Sequence, residues 1–211
     1  MEGIRWLFFD VGSTLVDESR AYERRIREAI AGTDISYERF YDAMLGFYRQ
    51  NKKGDLEALA FFDLPKPPWH HEEEAPYPQA AYCLSCLRQD YRIGVVANQA
   101  AGTTQRLARM QLLQYIDLVV ASAEEGVAKP DARIFRIALA RAGCPSQHAV
   151  MIGDRLDNDI KPAKQLGMKT VWVKQGFGGF ATPQCEAESP DHTVQGLEEL
   201  PGLFSRVPPR P

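Results

Sequence analysis

The stretch that most constrains the fold of this chain is an apolar run near its start that ends on a carboxylate. The run IRWLFF predicts a buried strand from Ile4 to Phe9, and Asp10 follows it, with turn chemistry at Gly12 and Ser13. In an open parallel sheet, ligands bind beyond the carboxyl ends of the strands, so we expect Asp10 at the mouth of a site, where a nucleophile belongs. An isolated Asp-x-Gly is more often a simple turn, so this interpretation depends on the rest of the chain.

Beyond residue 77 the chain alternates between helical patterns and short runs rich in β-branched residues. Helix-length segments separate the predicted strands, which is typical of right-handed βαβ units in a parallel sheet with helices on both faces. The sequence therefore predicts an α/β fold. The predicted strands are residues 91–97, 118–121, 149–152, 170–173 and 192–194, and the predicted helices are residues 78–90, 102–113, 131–142 and 158–167, with a last helix from Leu197.

Residues 17–76 interrupt this alternation. Residues 17–31, 36–50 and 55–62 carry helical patterns with no strand between them, and the aromatic stripe of the second pattern favours a small core over a cofactor site. We therefore predict a helical insert at 17–76, with 1–16 and 77–211 forming the main domain. Residues 64–78 are rich in proline and predict an extended connector that returns from the insert.

Composition excludes several classes of function. The net charge of -3 gives no support for nucleic-acid binding, which usually requires a basic surface. The first apolar run is too short for a signal peptide and no later run is long enough to span a bilayer, so we expect a cytoplasmic protein with no membrane partner. The sequence leaves the oligomeric state open.

Polar residues follow several of the predicted strands. Asn98 ends one strand, Lys129 comes just before a helix, and an acidic cluster from Asp154 to Asp159 ends another strand. A turn, a solvated charge and a helix N-cap would explain each of them alone. Together with Asp10, however, they would converge at one edge of the sheet, and paired carboxylates in a partly desolvated cleft must share a proton or hold a cation. Oxygen ligands of this kind suit Mg²⁺.

Two other groups of residues have weaker claims to chemistry. His70 and His71 stand beside three glutamates, but adjacent histidines in a flexible segment lack the convergent partners of most metal sites. Cys83 and Cys86 fit one apolar helix face, and burial there explains them better than redox chemistry.

These motifs, taken in order, resemble those of the haloacid dehalogenase-like (HAD) hydrolase superfamily. They are Asp10-x-x-x-Thr14-Leu15, the strand that ends at Asn98, Lys129-Pro130, and Gly153-Asp154-x-x-x-Asn158-Asp159. The resemblance implies a Rossmann-like, doubly wound parallel sheet with a helical cap inserted after the first motif. It also implies Mg²⁺-dependent phosphoryl transfer through an aspartyl-phosphate on Asp10.

The same resemblance suggests roles for the other site residues. Asp10, Asp154, Asp159 and the backbone carbonyl of Gly12 would hold Mg²⁺. Lys129 would pair with Asp10 and with the phosphoryl group, and Asn98 would also contact phosphate. Lys129 and the nearby amides would thereby stabilise charge on the transferring group.

Two departures from the family pattern bear on activity. Phosphatases of the family carry a second Asp two residues after the nucleophile as general acid and base, and here Gly12 stands there. Proton transfer of that kind contributes about 10² to 10⁴-fold in rate. Ala97 replaces the usual Ser or Thr and removes one hydroxyl donor to phosphate.

Three functions are compatible with these residues. The first is a slow phosphatase acting on a small phosphorylated metabolite, which would favour acyl or aryl phosphates because their leaving groups need no proton. The second is a catalytically reduced protein that binds a phospho-ligand or partner and regulates. The third is a haloacid dehalogenase, which resembles this chain in lacking the second Asp but does not carry the Gly-Asp-x-x-x-Asn-Asp cluster.

The substrate cannot be read from the sequence. Residues of the insert would select it, and the candidates are Arg20, Tyr22, Arg24 and Arg49. Solvated helix faces are the better explanation for each of these residues.

Overall fold

A computed structural model describes residues 3–205. Six parallel strands form one twisted sheet, in the order β5-β4-β1-β6-β7-β8, and two short strands form a separate ribbon. The strands are β1 (Trp6–Phe9), β2 (Val16–Asp17), β3 (Ala75–Pro76), β4 (Arg92–Ala97), β5 (Leu118–Ala121), β6 (Ala149–Gly153), β7 (Lys169–Val173) and β8 (His192–Val194). The predicted parallel α/β sheet is confirmed.

The register of the sheet brings the ends of three strands together. Phe9 at the end of β1 lies opposite Val95 of β4 and Ile152 of β6. The residues that follow these strands therefore emerge at one edge. This is the edge at which open parallel sheets bind ligands.

The helices are α1 (Ser19–Ile30), α2 (Tyr37–Tyr48), α3 (Gly54–Phe61), α4 (Ala80–Leu87), α5 (Thr103–Arg109), α6 (Ser122–Glu125), α7 (Ala132–Arg141), α8 (Lys161–Gln165) and α9 (Leu200–Phe204). Helices that follow β3 cover both faces of the sheet. Leu7 and Phe9 enter the core beneath α4 and α9, whereas Phe8 enters the opposite core beneath α7. Because successive side chains of a strand point to opposite faces, β1 is buried on both, and the doubly wound arrangement is confirmed.

Helices α1 to α3 lie between β2 and β3 and pack on one another. Their shared core contains Ile26, Phe40, Met44 and Leu59, so the aromatic and aliphatic stripe of this segment is buried within the insert. Strands β2 and β3 pair antiparallel, so the insert leaves and rejoins the main sheet through adjacent strands. The division into a main domain and a cap stays a prediction.

The connection to the insert differs from the sequence prediction. The stretch 64–78 is not wholly extended, because it holds a 3₁₀ turn at His71–Glu73 before the strand β3. Hydrogen bonds from the ring nitrogens of His70 to Glu28 and Glu72, and from His71 to Glu74, hold this turn in place. The long-range pair of His70 with Glu28 cannot be seen in a proline-rich pattern.

The segment after β6 also differs from the single helix predicted over 158–167. A π-helical turn at Leu156–Ile160 comes first and α8 follows it. The wider turn keeps Asp159 buried below the strand end. Within residues 3–205, no helix is both long and apolar enough to cross a bilayer.

Candidate active site

Lys129 links two carboxylates at the strand ends. Its Nζ lies 2.7 Å from Oδ1 of Asp10 and 2.6 Å from Oδ1 of Asp159, and only 2% of its side chain is exposed. Burial lowers the pKa of Lys129, but the charges of Asp10 and Asp159 outweigh this, and the pKa lies above its usual value. The lysine is therefore a cation at neutral pH.

Asn98 holds the backbone of Lys129 in place. The Lys129 N–H donates to Asn98 Oδ1 at 2.7 Å, and Asn98 Nδ2 donates to the Lys129 carbonyl at 2.8 Å. The side chain is thus already engaged on both of its polar atoms. A contact from Asn98 to phosphate stays a prediction, and its observed contacts are with the main chain of Lys129.

Three carboxylates converge beside this lysine. One oxygen from each of Asp10, Asp154 and Asp159 lies within 4.8 Å of the others. Thr14 Oγ1 donates to Asp154 at 3.4 Å, and the Arg155 N–H donates to the second oxygen of Asp159 at 3.0 Å. Both oxygens of Asp159 therefore have partners within the protein.

The net charge of the three carboxylates and Lys129 suits a divalent cation. Three carboxylates and the Lys129 ammonium sum to two negative charges in a largely buried place. Burial, and then repulsion from Asp159 and Asp10, raises the pKa of Asp154 well above its usual value. Burial also raises the pKa of Asp159, to about 6, although Lys129 opposes the shift. An all-oxygen donor set of this charge fits Mg²⁺.

A residue that the sequence analysis did not single out occupies the space beside Gly12. A Cβ built on Gly12 would overlap the carboxyl group of Glu18, lying 2.7 Å from its Cδ and Oε2. Ser13 Oγ donates to that carboxyl at 3.1 Å. Burial, and then the charges of Glu74 and Asp10, raises the pKa of Glu18 to about 8. In the sequence Glu18 is one of two acids before a helix, which gives no sign of this position.

The strand-end residues open onto a pocket of about 260 Å³ between the sheet and the insert. Asp10, Gly12, Asn98, Lys129 and Asp154 line its floor. The insert contributes the opposite wall, which includes Tyr22, Arg25, Tyr48, Lys53, Asp55, Lys66, Trp69 and His71. Asp159 lies behind Lys129 and does not line the pocket.

Of the four insert residues that the sequence offered as substrate-selecting candidates, one lines the pocket and three do not. Tyr22 lines the pocket, whereas Arg20 and Arg24 pair with surface glutamates and Arg49 is exposed outside it. Arg25 was overlooked because it belongs to an Arg-rich helix whose exposed and buried positions look alike. Its guanidinium donates to Asp55 at 2.7 Å and lies over the ring of Trp69.

Comparison with known proteins identifies the family. A family model for haloacid dehalogenase-like hydrolases matches residues 4–167. Glyceraldehyde 3-phosphate phosphatase from Pyrococcus abyssi is 33% identical over 196 residues, which cover 82% of each chain. A HAD phosphatase structure from Thermococcus onnurineus has a TM-score of 0.65 and 24% identity, covering 95% of this chain and 97% of that one. L-2-haloacid dehalogenase from Xanthobacter autotrophicus has a TM-score of 0.69 and 18% identity, covering 95% and 98%.

The two solved structures show that the fold is shared. The match to the family model shows the family to which the chain belongs. It covers most of the chain and includes the stretches that hold Asp10, Lys129 and Asp154. The curated relative extends the likeness across most of both chains. The resemblance drawn from the motifs is therefore confirmed, and the chain belongs to the haloacid dehalogenase-like hydrolases.

Proposed function

We propose that this chain is a Mg²⁺-dependent phosphatase that hydrolyses a small phosphorylated metabolite through an aspartyl-phosphate on Asp10. The observation that carries the proposal is the Asp10 carboxylate itself. It faces a pocket, one of its oxygens is held by Lys129 at 2.7 Å, and two more carboxylates lie beside it. The relative from Pyrococcus abyssi, named for glyceraldehyde 3-phosphate, supports a substrate of that class.

The geometry suggests how Asp10 would react. Because Lys129 engages Oδ1, the other oxygen of Asp10 is left to attack phosphorus. The ammonium of Lys129 offsets charge on the transferring group, and Asn98 keeps the lysine backbone in register with it. Water then cleaves the acyl phosphate and releases inorganic phosphate.

The carboxylate group would hold the metal. Asp10, Asp154 and the carbonyl of Gly12 are the ligands we assign, and Asp159 orients Lys129 because both of its oxygens are already bonded. When bound, Mg²⁺ supplies positive charge that offsets repulsion between Asp10 and an incoming phosphate dianion. The two uncompensated negative charges of the group support this assignment.

The insert would act as a cap that selects the substrate. In the pocket wall opposite Asp10, Asp55 balances the charge of Arg25, and Lys53 and Lys66 add positive charge, so the wall favours an anionic molecule. A cavity of about 260 Å³ also limits the size of that molecule. Both features support a small phosphorylated metabolite.

The proposal is tested with a panel of phosphate esters that includes acetyl phosphate and p-nitrophenyl phosphate. We expect release of phosphate that requires Mg²⁺, stops with a chelator, and is lost in Asp10→Asn. Asp42→Asn, an exposed change on α2, is the matched control and should keep full activity. Activity that survives in Asp10→Asn would rule out the aspartyl-phosphate route.

A regulatory phospho-ligand-binding protein is the second candidate. The observations that favour it are Gly12 and Ala97, which remove the usual proton-transfer group and one hydroxyl donor. It predicts Mg²⁺-dependent binding of phosphate or vanadate with no turnover of any ester. A haloacid dehalogenase has less support, because its structural likeness concerns the fold and because Asp154 adds a metal-type carboxylate beside Asp10.

A further inference from the structure

Hydrolysis of an alkyl phosphate requires a proton donor at the leaving oxygen, because an alkoxide is a poor leaving group. It then requires a proton acceptor for the attacking water. The residue two positions after Asp10 is Gly12, which has no side chain to do either. If the proposed phosphatase function is right, another group of this chain must donate and accept this proton.

The carboxyl group of Glu18 lies where a side chain at position 12 would project. A Cβ on Gly12 would overlap this group, so the two cannot occupy the space together. Glu18 is the residue immediately before α1, and its side chain folds back over the Asp10 loop into the pocket. The chain thereby brings a carboxyl to the same wall of the site from a different element.

Several other acid and base groups of the pocket have competing partners. Asp55 accepts from Arg25 at 2.7 Å, and Nδ1 of His71 is bonded to Glu74 at 2.9 Å. The hydroxyls of Tyr22 and Tyr48 lie 3.1 Å apart, and Tyr48 also donates to Asp55.

Glu18 differs from these groups in its partners. Within residues 3–205, its carboxyl accepts a hydrogen bond from the neutral hydroxyl of Ser13 at 3.1 Å, and no cation forms an ion pair with it. The Glu18 carboxyl therefore lies in the pocket beside Gly12, where it can meet a substrate oxygen or a water, whereas Asp55 is already bonded to Arg25.

We propose that Glu18 is the catalytic acid and base of this enzyme, taking the place of a side chain at position 12. In the first step an oxygen of Asp10 bonds to phosphorus, the bond from phosphorus to the leaving oxygen breaks, and Glu18 gives its proton to that oxygen. In the second step Glu18 takes a proton from water, the water oxygen bonds to phosphorus, and the bond from phosphorus to Asp10 breaks. Asp10 returns as a carboxylate and Glu18 as a carboxylic acid.

Glu18→Gln separates the two steps when β-glycerophosphate and p-nitrophenyl phosphate are compared. For the alkyl ester we expect kcat/KM to fall by about 10² to 10⁴-fold, because its leaving oxygen needs the proton. For p-nitrophenyl phosphate we expect kcat/KM within about tenfold of the wild type, because p-nitrophenolate leaves without one. Its kcat should nevertheless fall, with a burst of about one p-nitrophenol per enzyme, since the acyl phosphate then waits for a base.

Equal losses of kcat/KM on both esters, or no loss on either, would overturn the role of Glu18. Glu57→Gln on the exposed face of α3 is the matched control and should behave as the wild type. The outcome is separate from that of the proposed function. A wild type without Asp10-dependent activity overturns the phosphatase, whereas an active wild type with an unaffected Glu18→Gln overturns only this inference.

Moving the carboxyl to position 12 provides the reciprocal test. Gly12→Asp alone should displace the Glu18 carboxyl, because the new side chain overlaps it. Glu18→Ala removes that obstacle, so Gly12→Asp with Glu18→Ala should fold. The double variant should recover at least tenfold in kcat/KM on β-glycerophosphate over Glu18→Ala. A well-folded double variant with no recovery would show that the carboxyl beside Gly12 does not transfer the proton.

Discussion

Lys129 carries the positive charge between Asp10 and Asp159, and its Nζ lies 2.7 Å and 2.6 Å from one oxygen of each. A cation so deeply buried affects folding as well as chemistry. Its loss would leave two carboxylates facing each other with no compensating charge. Lys129 therefore cannot be treated as a side chain that serves the ligand alone.

Replacing this lysine tests both roles. Lys129→Ala should weaken vanadate binding and lower the free energy of unfolding by about 3 kcal/mol or more, because breaking one side of a buried ion pair strands the other. Urea unfolding and vanadate titration measure the two effects. Lys52→Ala at an exposed position should change neither. Unchanged vanadate affinity in a folded Lys129→Ala protein would contradict the phosphate-binding role.

The metal prediction depends on Asp154. Mg²⁺ at a hundred times its Kd should stabilise the wild type by about 2.7 kcal/mol. This corresponds to a rise of about 5–10 °C in Tm for a chain of this size. Asp154→Asn should lose most of that rise, whereas Asp157→Asn should keep it, because Asp157 is paired with Arg155 outside the carboxylate group. A scanning fluorimetry series with and without Mg²⁺ decides this, and equal shifts in both variants would remove Asp154 from the site.

Sequence reasoning predicted the candidate site residues that directly follow strands. Asp10, Asn98 and Asp154 come after apolar runs, and a parallel sheet gathers such positions at one edge. Glu18 could not be found in this way, because its place depends on the direction in which α1 leaves the Asp10 loop. The contact of Asn98 with the backbone of Lys129 was missed for the same reason, since it depends on the path of a loop.

Among the elements, β1 shows how closely the central strands are fitted together. Phe8 of β1 lies opposite Gly94 of β4, and its ring fills the space that a side chain at 94 would need. A Cβ on Gly94 would lie 2.5 Å from Cδ1 of Phe8. The glycine is therefore required by packing, in a strand where glycine would otherwise be unfavourable.

Two alanine substitutions separate packing from backbone effects. Gly94→Ala should lower the free energy of unfolding by about 1–3 kcal/mol, because the core must shift to accept the methyl group. Gly46→Ala, inside α2 with nothing within 4 Å of its Cβ, should raise that free energy by about 0.5–1 kcal/mol. Urea titrations of both proteins measure the difference. A neutral Gly94→Ala would show that the sheet core yields more easily than its geometry implies.

The order and type of the main elements were predictable because their hydrophobic periods are strong. Strand Leu118–Ala121 and strand His192–Val194 have the predicted bounds. The π-helical turn at Leu156–Ile160 was not predictable, because a period near 3.6 does not distinguish it from an ordinary helix start. The ribbon of β2 and β3 was also missed, since two-residue strands have no period of their own.

In the molecule as a whole, Phe177 joins the segment after β7 to the helices of the insert. It follows β7, stacks on Tyr48 with ring centroids 5.2 Å apart, and meets Tyr22 and Tyr41 edge to face. Asn51 adds a hydrogen bond of 2.8 Å to Glu188. The wall of the pocket is therefore held by a small aromatic cluster.

Removing this ring should loosen the insert. We expect Phe177→Ala to increase hydrogen exchange in α1 to α3 and to raise KM, because side chains of the insert line the pocket. The matched change Phe180→Ala, at a residue that is 49% exposed, should alter neither. Exchange that stays at the wild-type level in α1 to α3 would show that other contacts hold the insert in place.

The pairing of β2 with β3 has a consequence for the history of the chain. Val16 and Pro76 are partners across the ribbon, and neighbouring strands lie about 4.8 Å apart. The fifty-seven residues 18–74 between the two strands could therefore be lengthened or shortened without moving either strand, because a tight hairpin would span the same distance. Helical segments of different lengths could therefore be exchanged between β2 and β3 while Asp10 and the sheet edge stay where they are.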